Sequence, residues 1–299
     1  MLRKAIIDLG TNTFHLLIAD DGNKILYEEK SPVKLGAGGI NNGTIIAESM
    51  SRALKCLRGF KLKCDEFNVI NIRAIGTSAL RNAANASEFI QQVKRETGIA
   101  IEIISGNEEA QYIYQGVRAA VPLGKMKNLI VDIGGGSVEF IIANDKEIFW
   151  KQSIEVGGQR LLEKFHRHEP ILAKELNALN AYLIDALMPM SQPLKEYNPL
   201  LLIGSSGSFE TLSDIYCVRK NLPNLNHPDS PLSAEVFYEI YDDLIGMTKT
   251  ERINMPGMME WRAEMIVVTC SLIKLLLGLH SFNQIKVSRY SLKEGVLFG

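Results

Sequence analysis

An internal repeat constrains the fold of this chain more than any other feature. Residues 7–21 (IDLGTNTFHLLIADD) align without a gap with residues 131–145 (VDIGGGSVEFIIAND). In each copy an apolar run ends in Asp-x-Gly, a small polar turn follows, and a second apolar run leads through another polar turn to a third run, at 25–28 or 148–152. This alternation predicts two β-meanders. A chance match between two hydrophobic hairpins is disfavoured because the Asp, the Gly and a hydroxyl residue coincide, so we expect a duplicated architecture.

Helical and strand-like patterns follow each predicted meander. Helical periodicity covers residues 47–62, 86–97, 171–188, 233–247 and 265–279, strand-like runs cover 69–75, 99–104 and 200–203, and a strand and helix-like tail covers 284–298. The Pro-containing segments 191–199 and 222–231 are predicted to be surface loops. The alternation of strands and helices predicts an α/β fold, and a length of 299 residues favours two cores, with a boundary near residues 121–124.

The composition narrows the classes of partner and compartment. The formal net charge is −1 at pH 7, so no overall basic field is available for nucleic acid, and an anion has to be bound by local loops. The apolar run at the N-terminus is too short for a signal peptide, and no run approaches the roughly 20 apolar residues that span a bilayer. The cysteines lack metal-ligand spacing and indicate free thiols in a reducing compartment. We therefore expect a cytoplasmic protein without a nucleic-acid or membrane partner.

The first turn of each repeat is suited to bind phosphate. Small residues in a tight turn can present backbone N–H groups and hydroxyls to an anion, and glycine allows close approach of the backbone. Glycine-rich turns also connect strands without binding a ligand, but two equivalent turns in repeated units favour binding. The candidate phosphate-binding residues of the two turns are Gly10, Thr11, Asn12 and Thr13, and Gly134, Gly135, Gly136 and Ser137.

A third loop of small residues follows the predicted strand at 200–203. Ser205, Ser206, Gly207 and Ser208 connect this strand to a predicted helix, and the amides at a helix N-terminus favour an anion such as a phosphate or a nucleotide. The loop lacks the lysine of a P-loop, and no other segment matches GxxxxGK[ST], which disfavours the Walker class.

Carboxylates adjoin the two repeated turns. Asp8 and Asp132 end the first strands, and Glu139 lies two residues after Ser137, on the same face of its strand. Because carboxylates repel phosphate, this arrangement indicates Mg²⁺ or Mn²⁺ between them, with Asp132 as the first candidate ligand and Glu139 and Asp8 as further candidates. A solvated strand carboxylate is the alternative for Glu139.

Two glutamates open a predicted helix after the strand at 99–104. Glu108 and Glu109 can both stabilise the N-terminus of this helix, and that interpretation is favoured when the segment is taken alone. Arg73 and Arg81 flank another segment of small residues and are candidates for neutralising phosphate charge.

Six segments together resemble the exopolyphosphatase and guanosine pentaphosphate phosphohydrolase (Ppx/GppA) family, within the superfamily of sugar kinases, Hsp70 and actin. They are residues 7–15, 76–81, 102–110, 131–139, 204–207 and 292–297, in family order along almost the whole chain. The resemblance implies two actin-like (ribonuclease H-like) domains with a cleft between them. We expect the first domain at 1–121, with a tail at 288–299 packing back on it, and the second domain at 122–287.

The same resemblance implies roles for individual residues. Glu109 is similar to the catalytic base of the family, and Glu108 to the cap of its helix. Asp132 and Glu139 lie on the metal side, Arg81 is similar to a phosphate-contacting arginine, and the three loops cradle phosphates.

The activity that the resemblance implies is metal-dependent hydrolysis of terminal phosphoanhydride bonds. The implied substrates are inorganic polyphosphate, guanosine pentaphosphate (pppGpp) or both, and a homodimer is compatible with the resemblance. An actin-like ATP-dependent kinase or ATPase and a non-catalytic nucleotide or alarmone sensor are the alternative functions.

The sequence departs from the family pattern in two places. Family members often have Arg-Leu-Gly-Glu-Gly where this chain has Lys34-Leu35-Gly36-Ala37-Gly38, so an Arg and a Glu near the substrate entrance are replaced. The sequence also ends at Gly299, without the helical C-terminal domains of longer members. We therefore expect hydrolysis more than processive capture of long polyphosphate.

Overall fold

Each copy of the repeat lies at the centre of its own β-sheet. The computed structural model describes residues 2–223 and 227–299. The chain divides into a first unit, Met1–Gly116 with Leu292–Gly299, and a second unit, Val117–Ser291. The predicted α/β class is confirmed in both units. Among the described residues, none of the helices combines the length and the apolar character needed to cross a membrane.

The first unit is built on one sheet with helices. Its strands are β1 (Arg3–Leu9), β2 (Phe14–Asp20), β3 (Ile25–Ser31), β4 (Asn71–Gly76) and β5 (Ile101–Ile103). They form a five-stranded sheet in the order β3-β2-β1-β4-β5. The helices are α1 (Ala47–Glu66), α2 (Ser78–Asn82), α3 (Ala86–Thr97) and α4 (Gly106–Ala120).

The second unit contains a larger sheet around the second copy of the repeat. Its strands are β6 (Asn128–Ile133), β7 (Val138–Ala143), β8 (Ile148–Ile154), β9 (Leu201–Ser205), β10 (Asp229–Leu232) and β11 (Gln284–Ser288). They form a six-stranded sheet in the order β10-β11-β9-β6-β7-β8. The helices are α5 (Gly158–Phe165), α6 (Ala173–Ala186), α7 (Ser191–Tyr197), α8 (Ser206–Arg219), α9 (Ala234–Gly246), α10 (Lys249–Ile253) and α11 (Ile266–Leu279).

The last helix, α12 (Leu292–Phe298), belongs to the first unit and covers one face of β1. Leu297 of this helix packs with Ile6 of β1. Ile7 and Leu9 lie in a different cluster, together with buried residues of α1 and α3. Successive side chains of a strand point to opposite faces, so α12 and the α1–α3 pair bury the two faces of β1. Burial on both faces explains why Ala5, Ile6 and Ile7 are consecutive apolar residues, with no polar residue alternating between them.

The duplication extends to details of strand pairing. β1 pairs antiparallel with β2 and parallel with β4, and β6 pairs antiparallel with β7 and parallel with β9. The pairing of the third strand in each meander has one register irregularity, between Ile18 and Ala19 in the first copy and between Ile142 and Ala143 in the second. The ungapped alignment places these positions together. The predicted repeat is thereby confirmed.

Two segments predicted as loops contain regular structure, so those predictions were wrong in part. Residues 191–197 form α7, with Pro193 in the first turn. The first N–H groups of a helix have no acceptor within the helix, so a proline there costs no hydrogen bond. Residues 229–232 form β10 at the edge of the second sheet, where Pro231 is tolerated because one side of the strand makes no ladder bonds. Residues 224–226 of the predicted loop lie outside the described residues.

Candidate functional site

The turn between β6 and β7 is held from one side by the start of α5. Hydrogen bonds join the amides of Gly158, Gln159 and Gly157 to the carbonyls of Gly134, Gly135 and Gly136, at 2.9, 2.8 and 3.1 Å. The Arg160 guanidinium donates a second bond to the last of these carbonyls, over 2.8 Å. In a planar trans peptide the C=O points opposite to the next N–H. The N–H groups of residues 135–137 therefore point away from α5, as a row of donors suited to an anion.

The turn between β1 and β2 is held in a similar way. The amides of Gly36 and Lys34 donate to the carbonyls of Thr11 and Asn12 over 2.9 and 2.8 Å. By the same geometry the N–H groups of residues 12 and 13 point away from the segment 34–36. The segment 34–36, which departs from the family pattern at Lys34, thus supports the first loop through its backbone amides.

Both turns require glycine at their first position. A Cβ at Gly10 would lie 2.8 Å from the carbonyl oxygen of Thr13, and one at Gly134 would lie 3.0 Å from that of Ser137. These separations are shorter than ordinary contacts between a carbon and an oxygen, so a larger residue would open the turn.

A row of polar side chains crosses the second sheet beside its turn. Ser205, Asp132, Glu139 and Ser153 are successive register partners on β9, β6, β7 and β8, and partners on neighbouring strands share one face. Ser205 Oγ donates to Asp132 Oδ2 over 2.7 Å, and Ser153 Oγ donates to Glu139 Oε1 over 2.7 Å. Asp132 and Glu139 are buried, at 5% and 1% exposure. The alternative of a solvated strand carboxylate for Glu139 is thereby excluded.

Three hydroxyl groups converge on Asp132. Besides Ser205, Ser206 donates to Oδ1 over 2.6 Å, and Ser291 donates to Oδ2. Ser206 has a φ of 69°, a left-handed conformation that is uncommon for serine and often marks a functional constraint. Ser291 follows the last strand of the sheet and had not been predicted as a site residue.

Arg262 is a second residue that the sequence did not single out. It ends a short 3₁₀ helix, Glu260–Arg262, and its guanidinium lies over Gly207, where a Cβ would be 2.0 Å from Nη2 and 2.3 Å from Nε. Burial lowers the pKa of Arg262, and the carboxylates of Glu210 and Asp132 act in the opposite direction. Its Nε is buried, and within the part of the chain that is described this atom has no hydrogen-bond acceptor. A guanidinium beside the amides at the start of α8 is suited to bind phosphate.

In the first unit, Arg81 and Glu109 form a largely buried ion pair. Arg81 Nη1 donates to Glu109 Oε2 over 3.0 Å and to the carbonyl of Ile104 over 3.0 Å. The two side chains are 18% and 10% exposed. Of the two predicted phosphate-neutralising arginines, Arg81 contacts the candidate base, whereas Arg73 forms an exposed pair with Glu102.

Glu108 and Glu109 differ sharply in their surroundings. Glu108 accepts bonds from the amide and hydroxyl of Ser105 over 2.8 and 2.7 Å, and Ser105 Oγ accepts from the Glu108 amide, which is a capping box. These bonds lower the pKa of Glu108. The role of Glu108 as the helix cap is confirmed, whereas the side chain of Glu109 is buried and pairs with Arg81.

The predicted metal ligands come from both units. Asp132 and Glu139 lie side by side in the second unit, whereas Asp8 lies in the first, where His15 is its partner on β2. Over residues 2–223 and 227–299, no cluster of three or more His, Cys, Asp or Glu side chains is arranged to hold a metal ion. Mg²⁺ does not need such a cluster, because it is commonly held by one or two carboxylates together with water and phosphate oxygens. The paired carboxylates and the hydroxyls around them are hard oxygen donors and fit this ion.

Known proteins match this chain over nearly its whole length. The sequence model described as the Ppx/GppA phosphatase family matches residues 17–299. A putative exopolyphosphatase of Haemophilus influenzae is 27% identical over 98% of this chain and 90% of its own length. A guanosine-5'-triphosphate,3'-diphosphate pyrophosphatase of Aliivibrio fischeri is 29% identical over 99% of this chain, which spans 58% of that protein.

Solved structures agree with these matches. The crystal structure of an exopolyphosphatase from Cytophaga hutchinsonii superimposes with a TM-score of 0.94 at 44% identity, over 99% of this chain and 96% of that one. The Ppx/GppA family member of Aquifex aeolicus gives a TM-score of 0.79 at 26% identity, with 99% and 96% of the two chains covered.

Proposed function

Because the chain belongs to the Ppx/GppA phosphatase family, we propose that it is a metal-dependent phosphohydrolase that removes terminal phosphate from inorganic polyphosphate, from guanosine pentaphosphate or from both. The observation that carries this proposal is the second unit's row of buried carboxylates beside a turn of outward N–H groups. Carboxylates next to an anion-binding turn are expected where a cation lies between them and the phosphate.

The loops and Arg262 are proposed to bind the phosphate chain. The N–H groups of residues 135–137 and 12–13 would donate to phosphate oxygens, joined by the hydroxyls of Thr11, Thr13, Ser137 and Ser208. Arg262 would neutralise charge at the start of α8, where the helix N-terminus also favours an anion. Donors that are already fixed by the fold stabilise charge without reorganising during the reaction.

Asp132 and Glu139 would hold Mg²⁺ or Mn²⁺, and Asp8 is a further candidate. A cation held there would supply positive charge that offsets the negative charge of phosphate oxygens. Within the chain itself, the hydroxyls of Ser205 and Ser206 orient Asp132, and that of Ser153 orients Glu139. Hydrogen-bonded carboxylates of this kind present fixed oxygens to a cation.

Glu109 is proposed to act as the general base. It would accept a proton from water as that water attacks the terminal phosphorus, and the leaving phosphate chain would depart on the opposite side. Arg81 fixes the carboxylate through Oε2 and holds its own guanidinium against the carbonyl of Ile104. Arg81 thereby positions the base and brings a positive charge to the site.

The test is phosphate release from candidate substrates by the purified chain. Tripolyphosphate, long-chain polyphosphate, guanosine pentaphosphate and ATP with a sugar acceptor are each assayed with Mg²⁺, with Mn²⁺ and with EDTA. We expect orthophosphate from polyphosphate or guanosine pentaphosphate, dependent on the metal. Formation of ADP with a phosphorylated acceptor would replace the proposal by the kinase alternative. Tight binding of guanosine pentaphosphate without phosphate release would favour the sensor alternative.

A further inference from the structure

Arg252 joins three parts of the second unit. It is fully buried, and each part of its guanidinium donates to a different acceptor. Nε donates to the carbonyl of Ala263 over 2.7 Å, Nη1 to the carbonyl of Met247 over 2.6 Å, and Nη2 to Glu169 Oε1 over 2.8 Å. A buried arginine that satisfies this many acceptors is costly to replace, because each would lose its donor.

Two of these acceptors are the ends of one segment. Met247 follows α9, and Ala263 directly follows Arg262, so Arg252 ties the start of the segment 247–263 to its end. The segment contains only the short helix α10 and the 3₁₀ turn at 260–262, and neither is long enough to fix Arg262 by itself. Lys249 also pairs with Glu264, but the two side chains are 44% and 28% exposed, so solvent screens this pair more than the bonds of the fully buried Arg252.

We infer that Arg252 is a positioning residue for phosphate binding: its bond to the Ala263 carbonyl holds Arg262 over Gly207. Glu169 contributes to this arrangement, because its negative charge allows the Arg252 guanidinium to remain buried. Arg252 itself need not contact the substrate. This inference rests on the proposed function, since it gives Arg262 a phosphate ligand.

The inference is tested with a double-mutant cycle. Binding of tripolyphosphate is measured by calorimetry in the Glu109→Gln background, which suppresses hydrolysis, for Arg252→Lys, Arg262→Met and both together. We expect each single change to weaken binding about tenfold and the double change to add little, because both act through one guanidinium. Independent, additive losses would overturn the inference. Arg219→Met, which breaks an exposed pair with Asp243, is the matched control and should bind normally.

Amide hydrogen exchange provides a second test of the inference that needs no phosphate ligand. In Arg252→Lys and Glu169→Gln we expect faster amide exchange in a peptide covering residues 255–264, with the sheet strands unchanged. Unchanged exchange at 255–264 in both variants would overturn the inference. Wild-type protein that neither binds nor hydrolyses tripolyphosphate or guanosine pentaphosphate would refute the proposed function alone. The exchange measurement would then decide whether Arg252 holds the segment of Arg262. Arg252→Lys keeps a buried cation, so the test does not depend on a variant that cannot fold.

Discussion

Arg81 donates from Nη1 to Oε2 of Glu109, and the same nitrogen donates to the carbonyl of Ile104, each over 3.0 Å. The side chain of the candidate base is therefore fixed by a guanidinium that is itself bonded to the backbone directly after β5. Replacing Glu109 should mainly lower turnover, whereas replacing Arg81 should lower both stability and turnover. Stability and turnover can be measured separately.

We expect Glu109→Gln to abolish most phosphate release while the fold is kept. The amide is nearly isosteric but cannot accept a proton from water, and loss of a general base typically lowers the rate by roughly 10²–10⁴. The turnover number and the thermal midpoint are the measurements. Glu108→Gln is the matched control: its side chain can still cap α4, so activity should be normal. Equal activity in the two variants would remove Glu109 from its role.

We expect Arg81→Met to reduce stability as well as activity. Glu109 would remain largely buried without its charged donor, and a hydrogen bond to a charged group contributes about 2 kcal/mol. Urea unfolding of the whole protein gives the free energy of unfolding of each variant. Arg58→Met breaks an exposed pair with Glu96 and should change stability by less than about 0.5 kcal/mol. A similar loss of unfolding free energy in Arg81→Met and Arg58→Met would show that burial of the Arg81–Glu109 pair does not matter for stability.

We expect Gly207→Ala to impair substrate binding strongly. The added Cβ would overlap the Arg262 guanidinium, whose Nη2 lies 2.0 Å from its position, so the arginine would have to move away. The Michaelis constant for tripolyphosphate is the measurement, with an expected increase of about tenfold or more. Gly278→Ala serves as the control, because its Cβ would meet nothing within 4 Å in α11. An unchanged Michaelis constant in Gly207→Ala would show that Arg262 does not bind the phosphate.

We expect Asp132→Asn and Glu139→Gln to weaken binding of Mn²⁺, measured by calorimetry with the substrate replaced by inorganic phosphate. Ser205→Ala should weaken it roughly 10-fold to 100-fold, because it removes a hydrogen bond that orients Asp132. Asp243→Asn, on the surface, is the control. Undiminished Mn²⁺ binding in both carboxylate variants would place the metal elsewhere.

We expect His166 to make the second unit less stable in mild acid. Its side chain is fully buried, and burial lowers its pKa below the ordinary 6.5, with Glu169 and Glu175 acting in the opposite direction and Arg252 in the same direction. The unfolded chain therefore takes up a proton first as the pH falls. The stability contributed by neutral His166 is complete above pH 6.5 and is lost between 6.5 and the lower folded pKa. Urea midpoints from pH 7.5 to 5.0 should fall less steeply in His166→Gln; identical slopes would refute this assignment.

The repeated hairpin and its carboxylates could be predicted because they are local patterns. The period of two along a strand places Glu139 on the face of Ser137, and the register then brings it opposite Asp132. The position of Glu108 in the first turn made it a capping candidate together with Glu109, and only the family resemblance separated the two roles. Glu109 was identified from the family resemblance, since its burial against Arg81 is a tertiary property.

Arg262 and Ser291 could not be predicted, because each becomes significant only through a contact distant in sequence. Arg262 follows a methionine-containing loop without periodicity, and only the folding of this loop over α8 brings it to Gly207. Ser291 reaches Asp132 because β11 pairs with β9, which pairs with β6. Pro193 and Pro231 led to the prediction of loops where the structure has a helix and a strand. A proline is compatible with the start of a helix and with the edge of a sheet.

The duplicated hairpins share a backbone but differ in charge. His15 occupies in the first copy the place that Glu139 occupies in the second, so one scaffold carries a carboxylate and an imidazole where the other carries two carboxylates. Neighbouring carboxylates repel each other, which raises the pKa of one of them unless a cation lies near, whereas a histidine beside a single carboxylate adds no such repulsion. Equivalent positions of the two copies are therefore not electrostatically interchangeable: His15→Glu would set a second carboxylate opposite Asp8, whereas Glu139→His would remove one from beside Asp132.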